Sequence, residues 1–187
     1  MLNIENLSDI TKNGLCIGCG LCQSIVGEDK ITISMTDKGR LEPEEVKSLS
    51  SEEFDKIKKV CPGVLVEGLA KEEVNENSKH DLIWGYYNSL FYSWSTDPKI
   101  RFQSSTGGFL NGLSLYLLET KQVDFILHTA GDPDQPMRSI PKFSYNKEDL
   151  LNCESRSRYG PASSLSRFNE ALDLNKPFAF VGKPCDI

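Results

Sequence analysis

Three of the six cysteines in this 187-residue sequence sit in one short loop. In Cys16-Ile-Gly-Cys19-Gly-Leu-Cys22 the thiols fall at C-x2-C-x2-C spacing. Three sulfurs so spaced converge when the chain wraps an inorganic cube, and Gly18 and Gly20 permit the tight backbone. In bacterial ferredoxins the run continues x3-Cys-Pro, and that last cysteine serves a second cluster. Here Val26 and Gly27 stand at those positions, while a remote pair, Cys61-Pro62, is separated from Cys22 by 38 residues. The pattern suits one 4Fe–4S cluster held by Cys16, Cys19, Cys22 and Cys61. Structural zinc is the competing reading, but zinc sites usually take two ligands per knuckle, and the two histidines, His80 and His128, lie in unrelated places.

Cys153 and Cys185 remain. Cys153 sits in a helical stretch and reads as an ordinary buried thiol. Cys185 follows a strand, in Gly182-Lys183-Pro184-Cys185 beside a lysine charge. Loops at the carboxyl ends of parallel strands are where α/β sheets place reactive groups. Cys185 is therefore a candidate catalytic redox thiol or a ligand to a further cluster, with an inert thiol as the plain alternative.

A second kind of chemistry belongs to anions. Ser104-Ser105-Thr106-Gly107-Gly108 precedes the most hydrophobic helical stretch. Helix N-terminal amides, hydroxyls and glycines allowing close approach can seat a phosphate, such as that of a flavin. The simpler reading is that Ser105 or Thr106 caps the helix. Neither Rossmann spacing nor a P-loop lysine is present. Ser155-Arg156-Ser157-Arg158-Tyr159-Gly160-Pro161 could likewise hold a phosphate or stack on a ring, or be a solvated basic turn. The aromatic run Trp84, Tyr86, Tyr87, Phe91, Tyr92 and Trp94 reads as sheet packing.

These residues need elements to position them. KITISM reads as a strand, DKGR as a turn and LEPEE as an extended exit. SSEEFDKIKKVCPG has a Ser N-cap, an acidic first turn, a basic last turn and a Pro stop, and so predicts a short helix running into Cys61. Residues 67–81 are polar and read as a linker or exposed helix. LIWGYYNSLFYSWS then predicts a strand, GGFLNGLSLYLLET a helix largely buried on one face, and VDFILHTA a strand. KEDLLNCESRSRYG and SLSRFNEALDLN contain short helices, and PFAFVGKP a strand. Alternation of this kind indicates a mixed or mainly parallel α/β sheet.

Composition narrows the class. Apolar residues make up 39% and charged residues 26%, so the chain can bury a core. The longest apolar runs are too short to span a bilayer, and MLNIENLSDI lacks the features of a signal peptide. A net charge of −6 argues against a nucleic-acid surface. Thiols this close together pair poorly with one another, which points to reduced cysteines and a cytoplasmic location. The sequence stops at Pro184-Cys185-Asp186-Ile187, directly after a strand, so the chain is expected to be the N-terminal portion of a longer protein.

With these motifs in view, the sequence resembles the coenzyme F-420 hydrogenase/dehydrogenase beta-subunit family, which also includes 7-hydroxymethyl chlorophyll a reductase-like proteins. The resemblance rests on CIGCGLC with a later CP, R-x-x-SSTGG opening a helix, VDFIL, SRYGP and AFVGKPCDI, in order from Cys16 to Ile187. It implies an iron–sulfur flavoprotein oxidoreductase passing electrons between a 4Fe–4S cluster and FAD to a deazaflavin or other conjugated substrate. It further implies that Cys16, Cys19, Cys22 and Cys61 ligate the cluster. Ser105, Thr106, Gly107, Gly108, Ser157, Arg158 and Tyr159 would border the FAD, with Cys185 close to that centre. The expected fold is α+β or α/β: a ferredoxin-like 4Fe–4S unit over residues 1–78, then the N-terminal part of a mixed α/β flavin domain over 79–187, truncated at its C-terminus. Expected partners are a redox protein or a hydrogenase/dehydrogenase subunit and a small-molecule electron donor or acceptor. A non-catalytic electron-transfer or docking subunit with a single cluster is the rival reading.

Overall fold

The computed structural model describes residues 3–68, 71–152, 158 and 160–187, residue 71 by its backbone alone. Cys153, Ser157 and Tyr159 therefore lie outside the described residues. The described chain is mixed α/β of the α+β kind, with three small sheets.

Helix α1 (Leu7–Lys12) begins at Asn6, whose side chain accepts from Asp9 N–H while the Asp9 carboxylate accepts from Asn6 N–H. Leu7 and Ile10 then face inward. After the cysteine loop and α2 (Leu21–Val26), β1 (Ile31–Met35) and β2 (Leu41–Glu45) pair antiparallel, with Ile31 opposite Glu45 and Met35 opposite Leu41. The expected turn and exit are thus a full hairpin. Helix α3 (Ser51–Val60) carries the predicted cap: Ser50 and Glu53 bond each other's backbone amides. Its Phe54 and Ile57 join Ile4, Leu7, Ile10 and Ile31 in one core, against which Cys16, Cys22 and Cys61 pack. The Lys30 ammonium meets the Glu53 carboxylate, tying the residue before β1 to α3.

The aromatic stretch departs from expectation. Strands β3 (Lys79–Asp81) and β4 (Gly85–Tyr87) form only a three-residue hairpin. The Asp81 carboxylate accepts from the amides of Ile83 and Trp84, and Gly85 has φ +77°, so the chain turns where the sequence pattern predicted a continuous strand. Trp84, Phe91 and Tyr92 are exposed instead of lying in a sheet, and Trp94 carries Arg101 over its ring at 5.3 Å.

The last sheet has the order β6-β5-β7, with β5 (Phe125–Gly131) antiparallel to β6 (Ser139–Ser144) and parallel to β7 (Phe178–Phe180). It is mixed, as expected. Phe125, Ile126 and Leu127 are fully buried, each worth roughly 1.5–3 kcal/mol of transfer free energy. Phe125 stacks on Phe178 with centroids 5.1 Å apart. Helices α4 (Pro98–Gln103), α5 (Phe109–Glu119), α6 (Lys147–Leu151) and α7 (Phe168–Asp173) complete the described helices. Helix α5 lies where predicted but is less covered: Ser114 and Leu115 are buried, whereas Phe109, Leu110, Leu113 and Tyr116 are exposed. A three-stranded sheet with two short neighbouring helices, α4 and α6, buries one narrow stripe of α5, half-covers Leu117 and Leu118 and leaves the other four apolar side chains exposed.

Candidate functional site

Three cysteines of one loop and a fourth remote in sequence line one small apolar cavity. Cys16, Cys19, Cys22 and Cys61 share it with Ile10, Ile25, Ile33 and Ile57. Two glycine positions shape the loop. Gly18 has φ +71°, and a Cβ there would lie 2.6 Å from the Leu41 carbonyl oxygen. Gly20 has φ +83°, and its Cβ would lie 2.8 Å from Ser166 Cβ. Cys61 ends α3, and a Cβ on the nearby Gly63 would lie 2.2 Å from the Leu15 carbonyl oxygen. That close approach seats the remote Cys-Pro beside the start of the loop. Sequence reading missed Gly63, although a glycine straight after Cys-Pro was a visible signal.

Burial pushes the thiols up, with neighbouring thiols adding to the shift: Cys16 is raised, Cys19 reaches about 11 and Cys22 about 12. Thiols so placed stay protonated on their own, and a cationic centre is what makes four neighbouring thiolates tolerable. The amides of Gly18, Leu21 and Gln23 donate to the sulfurs of Cys16, Cys19 and Cys22, a favourable setting for thiolate charge. All four thiols are free of disulfides. Among the described residues, no group of three His, Cys, Asp or Glu side chains is gathered closely enough to hold a metal ion. The chemistry of the donor set, soft sulfur in an apolar cavity, fits an iron–sulfur centre.

The cysteine loop is bolted to the far end of the chain. Ser163 Oγ donates to the Gly18 carbonyl at 3.1 Å, and Leu165 N–H to the Cys19 carbonyl at 2.9 Å. On the next turn, Asn169 N–H donates to Ser24 Oγ at 2.8 Å and its side-chain amide to the Ser24 carbonyl at 2.6 Å.

Beside this junction lies a cavity of about 340 Å³. Its lining includes Ser104, Ser105, Thr106, Gly108, Asn111, His128, Arg158, Ser164 and Lys183. Thr106, Gly107 and Gly108 form a left-handed run, with φ of +50°, +67° and +69°. The threonine in this run is backbone strain of the kind that clusters at binding sites. Gly108 is the N-cap of α5, so neither Ser105 nor Thr106 caps that helix. Both glycines turn toward protein: a Cβ on Gly107 would lie 2.9 Å from Trp94 Cβ, and one on Gly108 2.9 Å from Ile100. Gly107 is not among the lining residues.

Arg158 lines the cavity with its guanidinium engaged, donating to the carbonyls of Pro136 and Arg138 at 2.6 and 2.7 Å and to Ser139 Oγ. It braces the turn before β6. His128 was missed as a lining residue. Its Nδ1 lies 3.3 Å from the Thr129 carbonyl, which only accepts, so Nδ1 carries the proton and Nε2 accepts from Ser144 Oγ at 2.8 Å. Burial lowers its pKa to about 4, leaving a neutral imidazole near pH 7. Cys185 is exposed and lies outside both linings, and the Lys183 ammonium beside it faces the Asp186 carboxylate.

Residues 90–168 match the profile of the coenzyme F420 hydrogenase/dehydrogenase beta subunit N-terminal family. Over that segment the chain is similar to these beta subunits. Among curated proteins it is 26% identical over 107 residues to the coenzyme F420 hydrogenase subunit beta of Methanococcus voltae, covering 56% of this chain and 37% of that one. The chain thus spans little more than a third of that relative's length. A solved structure of the F420-reducing [NiFe] hydrogenase complex from Methanosarcina barkeri, derivatised with xenon, is similar over 49% of this chain and 32% of that chain. The identity there is 28% and the TM-score 0.44. The family segment contains the Ser104–Gly108 turn, His128 and Arg158 but none of the four cavity cysteines. Among the described residues, no helix is long and apolar enough to cross a membrane.

Proposed function

We propose that this chain is the cluster-bearing part of an iron–sulfur flavoprotein oxidoreductase, related in role to the beta subunits it resembles. Cys16, Cys19, Cys22 and Cys61 would hold a 4Fe–4S cluster, and the neighbouring cavity, with Ser105, Thr106, Gly108 and Arg158 in its wall, would seat FAD. When bound, these groups supply electron transfer between a redox partner protein and a deazaflavin or other conjugated substrate. The observation that carries the reading is the four-cysteine apolar cavity joined by direct hydrogen bonds to the segment bordering the polar cavity.

The chain's own residues do the positioning. The Ser163, Leu165 and Asn169 bonds hold the cysteine loop against the second half of the chain. The hydroxyls of Ser104, Ser105 and Thr106 and the Lys183 ammonium offer hydrogen bonds to an anionic or hydroxyl-rich ligand, and neutral His128 adds no charge to that wall. Division into a 1–78 cluster unit and a 79–187 flavin unit belongs to the same proposal.

Anaerobic purification of the full-length protein, followed by iron, sulfide and flavin analysis, tests it. The expected product is brown, absorbs broadly near 400 nm and contains about four irons per chain with flavin. Stoichiometric zinc without iron or sulfide would sink the reading. Iron and sulfide without flavin would favour the single-cluster docking subunit.

A further inference from the structure

Between the two cavities lies a buried carboxylate that neither the cysteine motif nor the glycine turn explains. The Asp186 side chain is fully buried. Its Oδ2 accepts from Ser164 Oγ at 2.8 Å and from the Lys183 amide at 3.2 Å. Its Oδ1 is buried without a hydrogen-bond partner, and the Lys183 ammonium stands 3.6 Å from it, just beyond bonding reach. Buried polar oxygens are nearly always satisfied, so an orphan of this kind marks a place with work to do.

Its neighbours lead in two directions. Ser164 and Lys183 both line the polar cavity. Ser163 and Leu165, on either side of Ser164, bond the carbonyls of Gly18 and Cys19. The carboxylate's charge also reaches the Cys19 thiol, where it disfavours the thiolate.

We propose that Asp186 and Lys183 form an electrostatic coupler between the polar cavity and the cysteine loop. Asp186 is a positioning residue: it fixes Ser164, and with it the segment carrying the loop's hydrogen bonds, while holding one negative charge near Cys19. Lys183, half exposed on the cavity wall, is the adjustable counter-charge. An anionic ligand that draws the ammonium toward itself leaves the carboxylate less compensated, so ligand binding and the redox poise of the cysteine centre become linked, and linkage of this kind is reciprocal. A negative charge in a low-dielectric surrounding disfavours adding an electron nearby, and a positive charge favours it.

This inference rests on the cluster reading. The test compares full-length wild type, Asp186→Asn and Lys183→Gln for iron and sulfide content and for cluster midpoint potential by anaerobic EPR-monitored titration. Asp186→Asn is expected to shift the potential upward and Lys183→Gln downward, with iron and sulfide retained. Opposite shifts from adjacent residues are not what a merely structural role produces. If Asp186→Asn fails to fold, the surface substitution Lys183→Gln carries the test alone. Iron and sulfide present with unmoved potentials, or with both shifts in one direction, overturns this inference and leaves the cluster reading standing. A wild-type protein lacking iron and sulfide defeats both.

Discussion

Ser163 donates its hydroxyl to the carbonyl of Gly18, 3.1 Å away across 145 positions of sequence. The bond is buried, and it places the serine segment over the loop that carries Cys16 and Cys19.

Ser163→Ala removes that donor and leaves a buried carbonyl unpaired, which is expected to cost about 1–3 kcal/mol. Asn169→Ala, which deletes the bond to the Ser24 carbonyl, should cost about 1 kcal/mol. Urea unfolding of each variant reads these values. Stability within about 0.5 kcal/mol of wild type for Ser163→Ala would show that the junction is slack.

Cys61→Ser is expected to abolish stoichiometric iron and sulfide, because it replaces one of the four sulfur donors around the shared cavity with a hard oxygen. Cys185→Ser should retain both, since that thiol is exposed and lines neither cavity. Retention of a full complement by Cys61→Ser would refute the four-ligand assignment.

His128 predicts a stability that depends on pH. Its folded pKa, about 4, lies below the ordinary 6.5, so between these values the unfolded chain binds the proton more readily. Stability is therefore fully present above about pH 6.5 and falls as pH drops toward 4, by on the order of 3 kcal/mol for this group. Chemical denaturation from pH 7.5 to 4.5 should show a steeper loss for wild type than for His128→Asn. Identical slopes would remove His128 as the cause.

Gly108→Ala and Gly39→Ala separate two kinds of glycine. Both positions have positive φ, but a Cβ at Gly39 meets nothing within 4 Å, whereas one at Gly108 meets Ile100 at 2.9 Å. Gly39→Ala should cost about 1–2 kcal/mol from backbone conformation. Gly108→Ala should cost more and weaken FAD retention, because the strained turn in the cavity wall must move. Thermal unfolding and flavin fluorescence distinguish the outcomes, and equal costs would show that the turn yields freely.

Much of the local structure was legible in the sequence because its causes are local. Ser50 and Glu53 announced α3, and the spacing of Cys16, Cys19 and Cys22 with the remote Cys61 named a set of thiols that the fold gathers around one cavity. The aromatic stretch misled because its β-prone residues surround an Asp81–Gly85 turn, and turn chemistry overrides propensity over so few residues. Helix α5 misled differently: its apolar residues fixed the helix, but burial depends on what the rest of the fold brings against it.

The sequence by itself determined where α3 starts and that strands alternate with helices, and it singled out four thiols that line one cavity. Tertiary structure alone decided that Gly63 packs on Leu15, that Ser163 clasps Gly18, and that His128, Ser164 and Lys183 share a cavity wall with the Ser104–Gly108 turn. The physical reason is range. Caps, turns and ligand spacing are enforced within a few residues and leave a pattern in the chain. A hydrogen bond or a missing Cβ that joins distant segments obeys no periodicity, and exists only once the core has brought the two sides together.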